Sequence, residues 1–385
     1  MKKKWVRFGA MLLAVCLAGA CFTGCGNAEN ISEEPSEDTT EDNGNYLNPT
    51  AYKEGHYYMD DLDECIKRVG RTRYENHMLT CDWSGTGFVF NAHTEGETMT
   101  VSYKSSYETY FTVYIDGYEM QRERISGNGV FRVKLDAGDH EISITKENEI
   151  NIDQNSYCYI SELGFKGKFM EKPEDKKLFI EVIGDSIACG DGCLGVFQEG
   201  VLWPKNSHSA HASFAAVAAR RLNADYNLVS RGGIGIIRSR DEVGLPMPAI
   251  YDCISPYKNI DLKYDFARKP DLIIFELGAN DAEDICTEDE YYAAMEQFLA
   301  TILEKNGADV PIVWTGASLG HYGSAKRYAE NHPEVKFYAF QFRYGSSGAG
   351  GSTTSVSGHP NEEEQRDYGE ALYRFITDNM VLGAN

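Results

Sequence analysis

The chain has 385 residues, 42% of them hydrophobic, which is ample for a packed core, rules out wholesale disorder and suits two domains better than one. Its 37 lysines and arginines stand against 59 aspartates and glutamates, a formal charge of −22. A surface of that sign repels phosphate backbones and anionic membranes, which argues against nucleic acid and disfavours polyanionic substrates, and a neutral ligand is the default.

The chain opens on a basic stretch (Lys2, Lys3, Lys4, Arg7) followed by an uncharged, mostly apolar run from Phe8 to Thr23. That run is shorter than the ~20 residues a spanning helix needs, and small residues follow it, so residues 1–24 read as a signal peptide. Phe22 to Asn27 (FTGCGN) resembles a lipobox, which makes Cys25 the expected lipid anchor, with Cys21 as the competing residue and plain secretion as the alternative. Residues 25–45 carry seven acidic residues and no basic one. Self-repulsion and the lack of apolar residues predict an extended tether. The expected location is extracytoplasmic, with the membrane reached through the lipid alone. Seven cysteines remain beyond Cys25; an odd number at these spacings predicts no disulfide framework.

Residues 46–170 have the punctuation of an all-β domain. Short runs rich in β-branched and aromatic residues fall at Gly87–Phe90, Thr98–Tyr103, Tyr110–Ile115, Val130–Leu135 and His140–Thr145. Turn signals separate them at Asp116-Gly117, Gly127-Asn128-Gly129 and Asp136-Ala137-Gly138. A jelly-roll β-sandwich is the expected architecture. Past the charged Glu171–Lys177 linker, residues 178–385 change to apolar runs alternating with helical stretches, which predicts βαβ units around a parallel sheet. The strands are expected at Leu178–Ile183, Tyr226–Val229, Leu272–Leu277, Ile312–Trp314 and Val335–Phe340. One helix carries Tyr291, Met295, Phe298, Leu299 and Ile302 on one face and stops at Gly307. Asn361 with Glu364 forms a capping box for the last helix. The result is a flavodoxin-like three-layer α/β domain whose ligands bind at the carboxyl edge of the sheet.

Three motifs fall at that edge. Gly184-Asp185-Ser186 follows the first strand of the second domain, Gly278-Ala279-Asn280-Asp281 the third, and His359-Pro360 precedes the last helix. A hydroxyl is a poor nucleophile at neutral pH until a base takes its proton, and a tetrahedral oxyanion needs preorganised donors. Ser186, His359, Asn280 and the Gly-rich turn Arg231–Gly235 supply those parts. Taken singly, Ser186 could serve as a helix cap, His359 as a capping or surface histidine and Asn280 as a turn former. Cys189 and Cys193 followed by His208 and His211 invite a zinc reading, but the histidine spacing is short and no metal is expected. Glu181 and Glu276 interrupt apolar strands and are expected to be paired or sheet-edge carboxylates, with a catalytic role as the alternative. Trp314 and Trp203 are candidates to stack on a sugar ring or to pack in the core.

The motifs GDSIACG (Gly184 to Gly190), the Gly-rich turn, GAND and the terminal His-Pro resemble the four blocks of the SGNH (GDSL) hydrolases. Ile115–Gly117, the run Ala137–Glu149 and the linker into the first block narrow the resemblance to carbohydrate esterase family two, a jelly roll joined to an SGNH domain. The resemblance implies Ser186 as nucleophile, His359 as base, and an oxyanion hole made by Ser186, Gly233 and Asn280, with no cofactor. Most SGNH enzymes place an Asp three residues before the histidine; here Val356 stands there, with no carboxylate between Glu334 and His359. The resemblance then implies a Ser–His dyad whose histidine is oriented by a main-chain carbonyl. The expected activity is removal of O-acetyl groups from plant polysaccharides or oligosaccharides of xylan or glucomannan type. The alternatives are a glycan-binding surface lipoprotein with little catalysis, or an esterase or lipase acting on non-carbohydrate esters.

Overall fold

The computed structural model describes residues 46–150, 156–195, 204–240, 244–256, 262–282, 284–316, 321–342 and 358–383. The leader, Cys25 and Cys21, the acidic tether, Trp203 and Val356 lie outside the described residues. Residues 44–385 form one compact unit. Among the described residues no helix is long and apolar enough to cross a membrane. The seven cysteines from Cys65 to Cys286 are all buried, and none forms a disulfide among the described residues.

The first half is an antiparallel ten-stranded sheet. Its strands are β1 (His56–Tyr58), β2 (Lys67–Val69), β3 (Tyr74–Glu75), β4 (Met78–Thr80), β5 (Gly87–Glu95), β6 (Thr98–Ile115), β7 (Tyr118–Lys134), β8 (Ala137–Lys146), β9 (Cys158–Gly164) and β10 (Lys168–Phe169). Alternation drives it: in β5, Phe88, Phe90 and Ala92 are buried while Val89, Asn91 and His93 are less so, as a half-solvated antiparallel strand requires. Asp116 and Gly117, with φ of 52° and 82°, make the two-residue hairpin between β6 and β7.

Two sequence expectations are corrected here. Thr98–Tyr103 and Tyr110–Ile115 are not separate strands but the two ends of the single strand β6, whose register shifts between Ser105 and Thr109. Gly127-Asn128-Gly129 is not a turn; it lies inside β7, paired with Ser105, Lys104 and Tyr103 of β6. Glycines that signal a turn locally serve here as the partner segment of a bulge.

The second half has five parallel strands in the order β12-β11-β13-β14-β15. They are β11 (Leu178–Gly184), β12 (Ala224–Ser230), β13 (Leu272–Glu276), β14 (Ile312–Gly316) and β15 (Phe337–Gln341). All five strands read from the sequence are present. The helices are α1 (Ser186–Cys189), α2 (Phe214–Arg221), α3 (Met247–Ile250), α4 (Glu288–Asn306), α5 (Tyr322–Asn331) and α6 (Glu362–Asn379). Tyr291, Met295, Phe298, Leu299 and Ile302 form the buried face of α4, and the Asn361–Glu364 capping box opens α6. The chain reverses direction across the sheet between β11 and β13, so the crevice at their carboxyl ends is where a ligand fits.

The two halves share side chains. Trp83 and Ile150 from the first half lie in the same apolar cluster as Ile183, Val229 and Phe275 of the second, and the Trp83 indole N–H donates to the Cys253 carbonyl at 3.2 Å. Arg71 is fully buried and pairs with Glu181 on β11. Its guanidinium lies 4.9, 4.5 and 5.1 Å from the ring centres of Tyr251, Tyr264 and Phe266. Asn227 donates to the other Glu181 oxygen at 3.0 Å. Glu181 is thus paired, as its place in an apolar strand required. Truncating one member of such a pair strands a charge in the interior. Arg71→Ala is expected to cost about 3–5 kcal/mol, measured by denaturant unfolding. An unchanged midpoint would mean that Arg71 does not hold the halves together.

Candidate active site

The site is built at the β11–α1 turn. Asp185 caps α1, its Oδ1 accepting the Ile187 N–H at 3.0 Å. Ser186 is therefore the first helical residue and not the cap. His359 arrives just ahead of α6, and α6 is tied directly to the nucleophile turn. The buried Gln365 donates to the Ile187 carbonyl at 3.1 Å and accepts the Phe214 N–H at 2.8 Å. The Glu362 N–H adds a bond to the Cys193 carbonyl at 2.9 Å. These ties bring His359 Nε2 to 2.7 Å from Ser186 Oγ across 173 residues of sequence, the contact a serine nucleophile needs with its base.

Two main-chain N–H groups beside Ser186 have no acceptor among the described residues: those of Ser186 and Gly233. The Gly232 N–H, by contrast, is taken by the Glu149 carboxylate. That difference separates two neighbouring glycines the sequence left one residue apart. Gly233 has φ +71°, the left-handed conformation glycine adopts freely. Asn280 Nδ2 donates to the Ile234 carbonyl at 3.0 Å and to Asp185 Oδ2 at 3.2 Å. It thus knits the Gly-rich turn to the nucleophile turn, and it must exchange one of these bonds to donate to a ligand. Asn280→Ala is expected to lower turnover by roughly 10²–10³, read from kcat on 4-nitrophenyl acetate. A loss under threefold would leave it a turn former.

The carboxylates near the motifs are engaged. Asp281 is buried and accepts the Ile236 N–H at 2.7 Å and the Ile237 N–H at 3.0 Å, pinning the far side of the Gly-rich turn. Burial raises its pKa, opposed by those N–H donors. Glu276, also buried, accepts the Asp185 N–H at 3.2 Å. Burial and the adjacent Asp185 carboxyl push Glu276 well above the carboxylate range, while burial above all lifts Asp185 to about 6.

Ser186, His359, Gly233 and Asn280 line one cavity of about 470 Å³. Its other wall comes from the first half of the chain, through Tyr107, Asn148 and Glu149. Sequence reasoning missed that wall; the only signal was the acidic tail of the Ala137–Glu149 run. Behind it Asp191 Oδ1 lies 2.7 Å from His208 Nδ1. Burial opposes protonation of His208, but the Asp191 and Glu149 carboxylates outweigh it and raise its pKa. Burial and Asp191 together push Glu149 up to about 7.

The zinc spacing does not gather into one site among the described residues. His208 pairs with Asp191, while His211 stacks on Tyr114 at 4.3 Å and is held near pKa 3 by burial and Arg220. One group has ligand spacing, Glu149, Cys189 and Asp191, with atoms within 4.8 Å of one another. Burial and the two carboxylates push the Cys189 thiol well above its ordinary pKa. Trp314 is corrected from a sugar contact to a core residue: it is fully buried, in one cluster with Tyr291 and Tyr328, because α4 and α5 cover the sheet there.

Comparison with known proteins finds two adjoining family matches. A carbohydrate esterase 2 N-terminal family model matches residues 68–173, and a GDSL-like lipase/acylhydrolase model matches residues 180–343. The chain is 28% identical over 293 residues to the cellulase/esterase CelE of Acetivibrio thermocellus, covering 70% of this chain but only 34% of that protein. It thus spans about a third of CelE's length. It is 26% identical over 272 residues to an acetylxylan esterase/glucomannan deacetylase of Cellvibrio japonicus, covering 67% of this chain and 73% of that one. The structure of a family two carbohydrate esterase from Clostridium thermocellum in complex with cellohexaose superposes with a TM-score of 0.70 at 22% identity, over 81% of this chain and 98% of that one. The chain thus carries a match to the carbohydrate esterase 2 N-terminal model followed by a match to the GDSL-like lipase/acylhydrolase model, on a fold it shares with that solved family two carbohydrate esterase.

Proposed function

We propose that this protein removes O-acetyl groups from plant polysaccharides or oligosaccharides of xylan or glucomannan type through a Ser186–His359 dyad. The observation that carries the reading is the 2.7 Å contact between His359 Nε2 and Ser186 Oγ, made in a cavity that Gly233 and Asn280 also line. Ser186 Oγ attacks the acetyl carbonyl as His359 Nε2 takes its proton. The N–H groups of Ser186 and Gly233, joined by the Asn280 amide, receive the oxyanion. Collapse of the tetrahedral intermediate breaks the acyl–oxygen bond, and the imidazolium returns the proton to the departing sugar alkoxide. Water, deprotonated by the same imidazole, then releases acetate and restores Ser186. No group other than the protein is required.

The cavity lining offers hydrogen-bonding partners to a sugar. Among the described residues it is made mostly of carboxylates, cations and amides, including Glu149, Asp191, Lys205, Arg240 and Asn280, with Ile150 its one aliphatic side chain. Those polar groups can hydrogen-bond to sugar hydroxyls. The chemistry named for the acetylxylan esterase/glucomannan deacetylase points to the same substrates. The test is acetate release from acetylated xylan, acetylated glucomannan and acetylated pectin, alongside a long-chain 4-nitrophenyl ester. Release from xylan or glucomannan is expected. Turnover of the long-chain ester alone would move the activity to lipids, and binding of glycans without release would make the chain a lectin-like protein.

We further propose that Cys25 carries a lipid that holds the enzyme on the outer face of the bacterial cell membrane, with residues 25–45 as its tether. Radiolabelled palmitate should enter the wild-type protein and not Cys25→Ala. Equal labelling of that variant would transfer the anchor to Cys21.

A further inference from the structure

The cavity's second wall has a structure of its own. Four consecutive residues at the end of β8, Lys146–Glu149, each make hydrogen bonds that leave their own strand. Lys146 is fully buried, and its ammonium donates to the carbonyls of Asp82, Asn148 and Glu149 at 2.9, 2.6 and 3.0 Å. Three acceptors fix the path of the following backbone. Glu147, also fully buried, accepts the Ser209 hydroxyl at 2.9 Å and the His211 N–H at 3.2 Å, on the segment that follows the nucleophile turn. Asn148 donates to the Lys205 carbonyl at 2.7 Å. Glu149 then reaches the Gly-rich turn and accepts the Gly232 N–H.

The geometry of that last contact bears on the oxyanion donor one peptide further on. The Arg231–Gly232 peptide is held by Glu149, and the Gly233 carbonyl is held by the Arg240 N–H at 2.8 Å. The Gly232–Gly233 peptide lies between these two fixed planes, and its Gly233 N–H has no acceptor among the described residues. The fit around Gly232 is close as well. A Cβ placed there would lie 2.7 Å from Glu149 Oε2 and 2.8 Å from Asp191 Oδ2, so the two carboxylates seat the Gly232 backbone. Asp191 is itself fixed, through its N–H to the Ser186 carbonyl at 3.0 Å and through His208.

We propose that Glu149, supplied by the β-sandwich, is a positioning residue for the oxyanion hole: it orients the Gly232–Gly233 peptide so that the Gly233 N–H faces the acyl group on Ser186. The sandwich is then part of the catalytic apparatus and not an appended binding module. This rests on the Ser186 reading given above. A displacement of about 1 Å in a preorganised donor costs on the order of 10²-fold in rate, which sets the scale of the effect.

The experiment uses the full chain and two measurements: kcat and KM on 4-nitrophenyl acetate, and the second-order rate of Ser186 labelling by a fluorophosphonate, which draws on the oxyanion donors and needs no sugar. Glu149→Ala is expected to lower kcat and the labelling rate by roughly 10–100-fold with little change in KM. Glu149→Gln keeps an oxygen acceptor at the same reach and should recover most of that loss. Glu149→Asp preserves the charge but withdraws the acceptor by one methylene; it should lose about tenfold, and it serves if the Ala variant fails to fold. A labelling rate within twofold of wild type in a folded Ala or Asp variant overturns the proposal, as does a Gln variant no better than Ala. A wild-type chain that labels at Ser186 but releases no acetate from polysaccharide would sink the carbohydrate reading and leave this one intact.

Discussion

Ser186→Ala should reduce acetate release by roughly 10⁴–10⁶, to the level left by binding and the oxyanion donors alone. The loss follows from the absence of a substitute: no other hydroxyl is placed against His359 Nε2 among the described residues. The fold should survive, because the cap of α1 belongs to Asp185 and not to Ser186. Alanine is also the best helix former, so the first position of α1 accepts it at little cost. Circular dichroism and the unfolding midpoint should match wild type within experimental error. A variant that folds and retains more than about a hundredth of wild-type turnover would place the nucleophile elsewhere.

His359→Ala should cost a comparable factor, roughly 10⁴ or more, since the one base within reach of Ser186 Oγ among the described residues is lost. The four carboxylates that could have completed a triad behave differently. Glu181 is committed to Arg71 and Asn227, Glu276 to the Asp185 N–H, Asp281 to Ile236 and Ile237, and Asp185 to Ile187 and Asn280. Replacing each singly should alter stability or the turn geometry without the loss of about 10⁴ that marks a triad acid. A folded variant of any of the four with that loss would replace the dyad by a triad.

The candidate dyad was legible because its signals are local. A strand of apolar residues ending in Gly-Asp-Ser, a second ending in Gly-Ala-Asn, and a His just ahead of a capping box each report a turn at a sheet edge. The parallel topology then brings those turns together. The sandwich was less legible. Its strands announced themselves by alternation, but the length of β6 and β7 depended on pairing across the hairpin, which overrode the turn signal at Gly127–Gly129. Trp314 at a strand end gave no hint of whether helices cover it. Glu149 reaches Gly232 across 83 positions, and no short pattern encodes such a contact. The buried Arg71 was invisible for the same reason, although Glu181 in an apolar strand correctly signalled that some partner must exist.

The account turns on an acyl-enzyme at Ser186. Mixing the protein with 4-nitrophenyl acetate, quenching in acid within the first turnovers and mapping peptides by mass spectrometry tests it most directly. The account predicts one acetyl group, on the peptide that contains Ser186, absent from Ser186→Ala and strongly depleted in His359→Ala. An acetyl group on any other residue in an active protein, or rapid turnover in which isotopic oxygen from water enters acetate with no covalent intermediate trapped at Ser186, would contradict it.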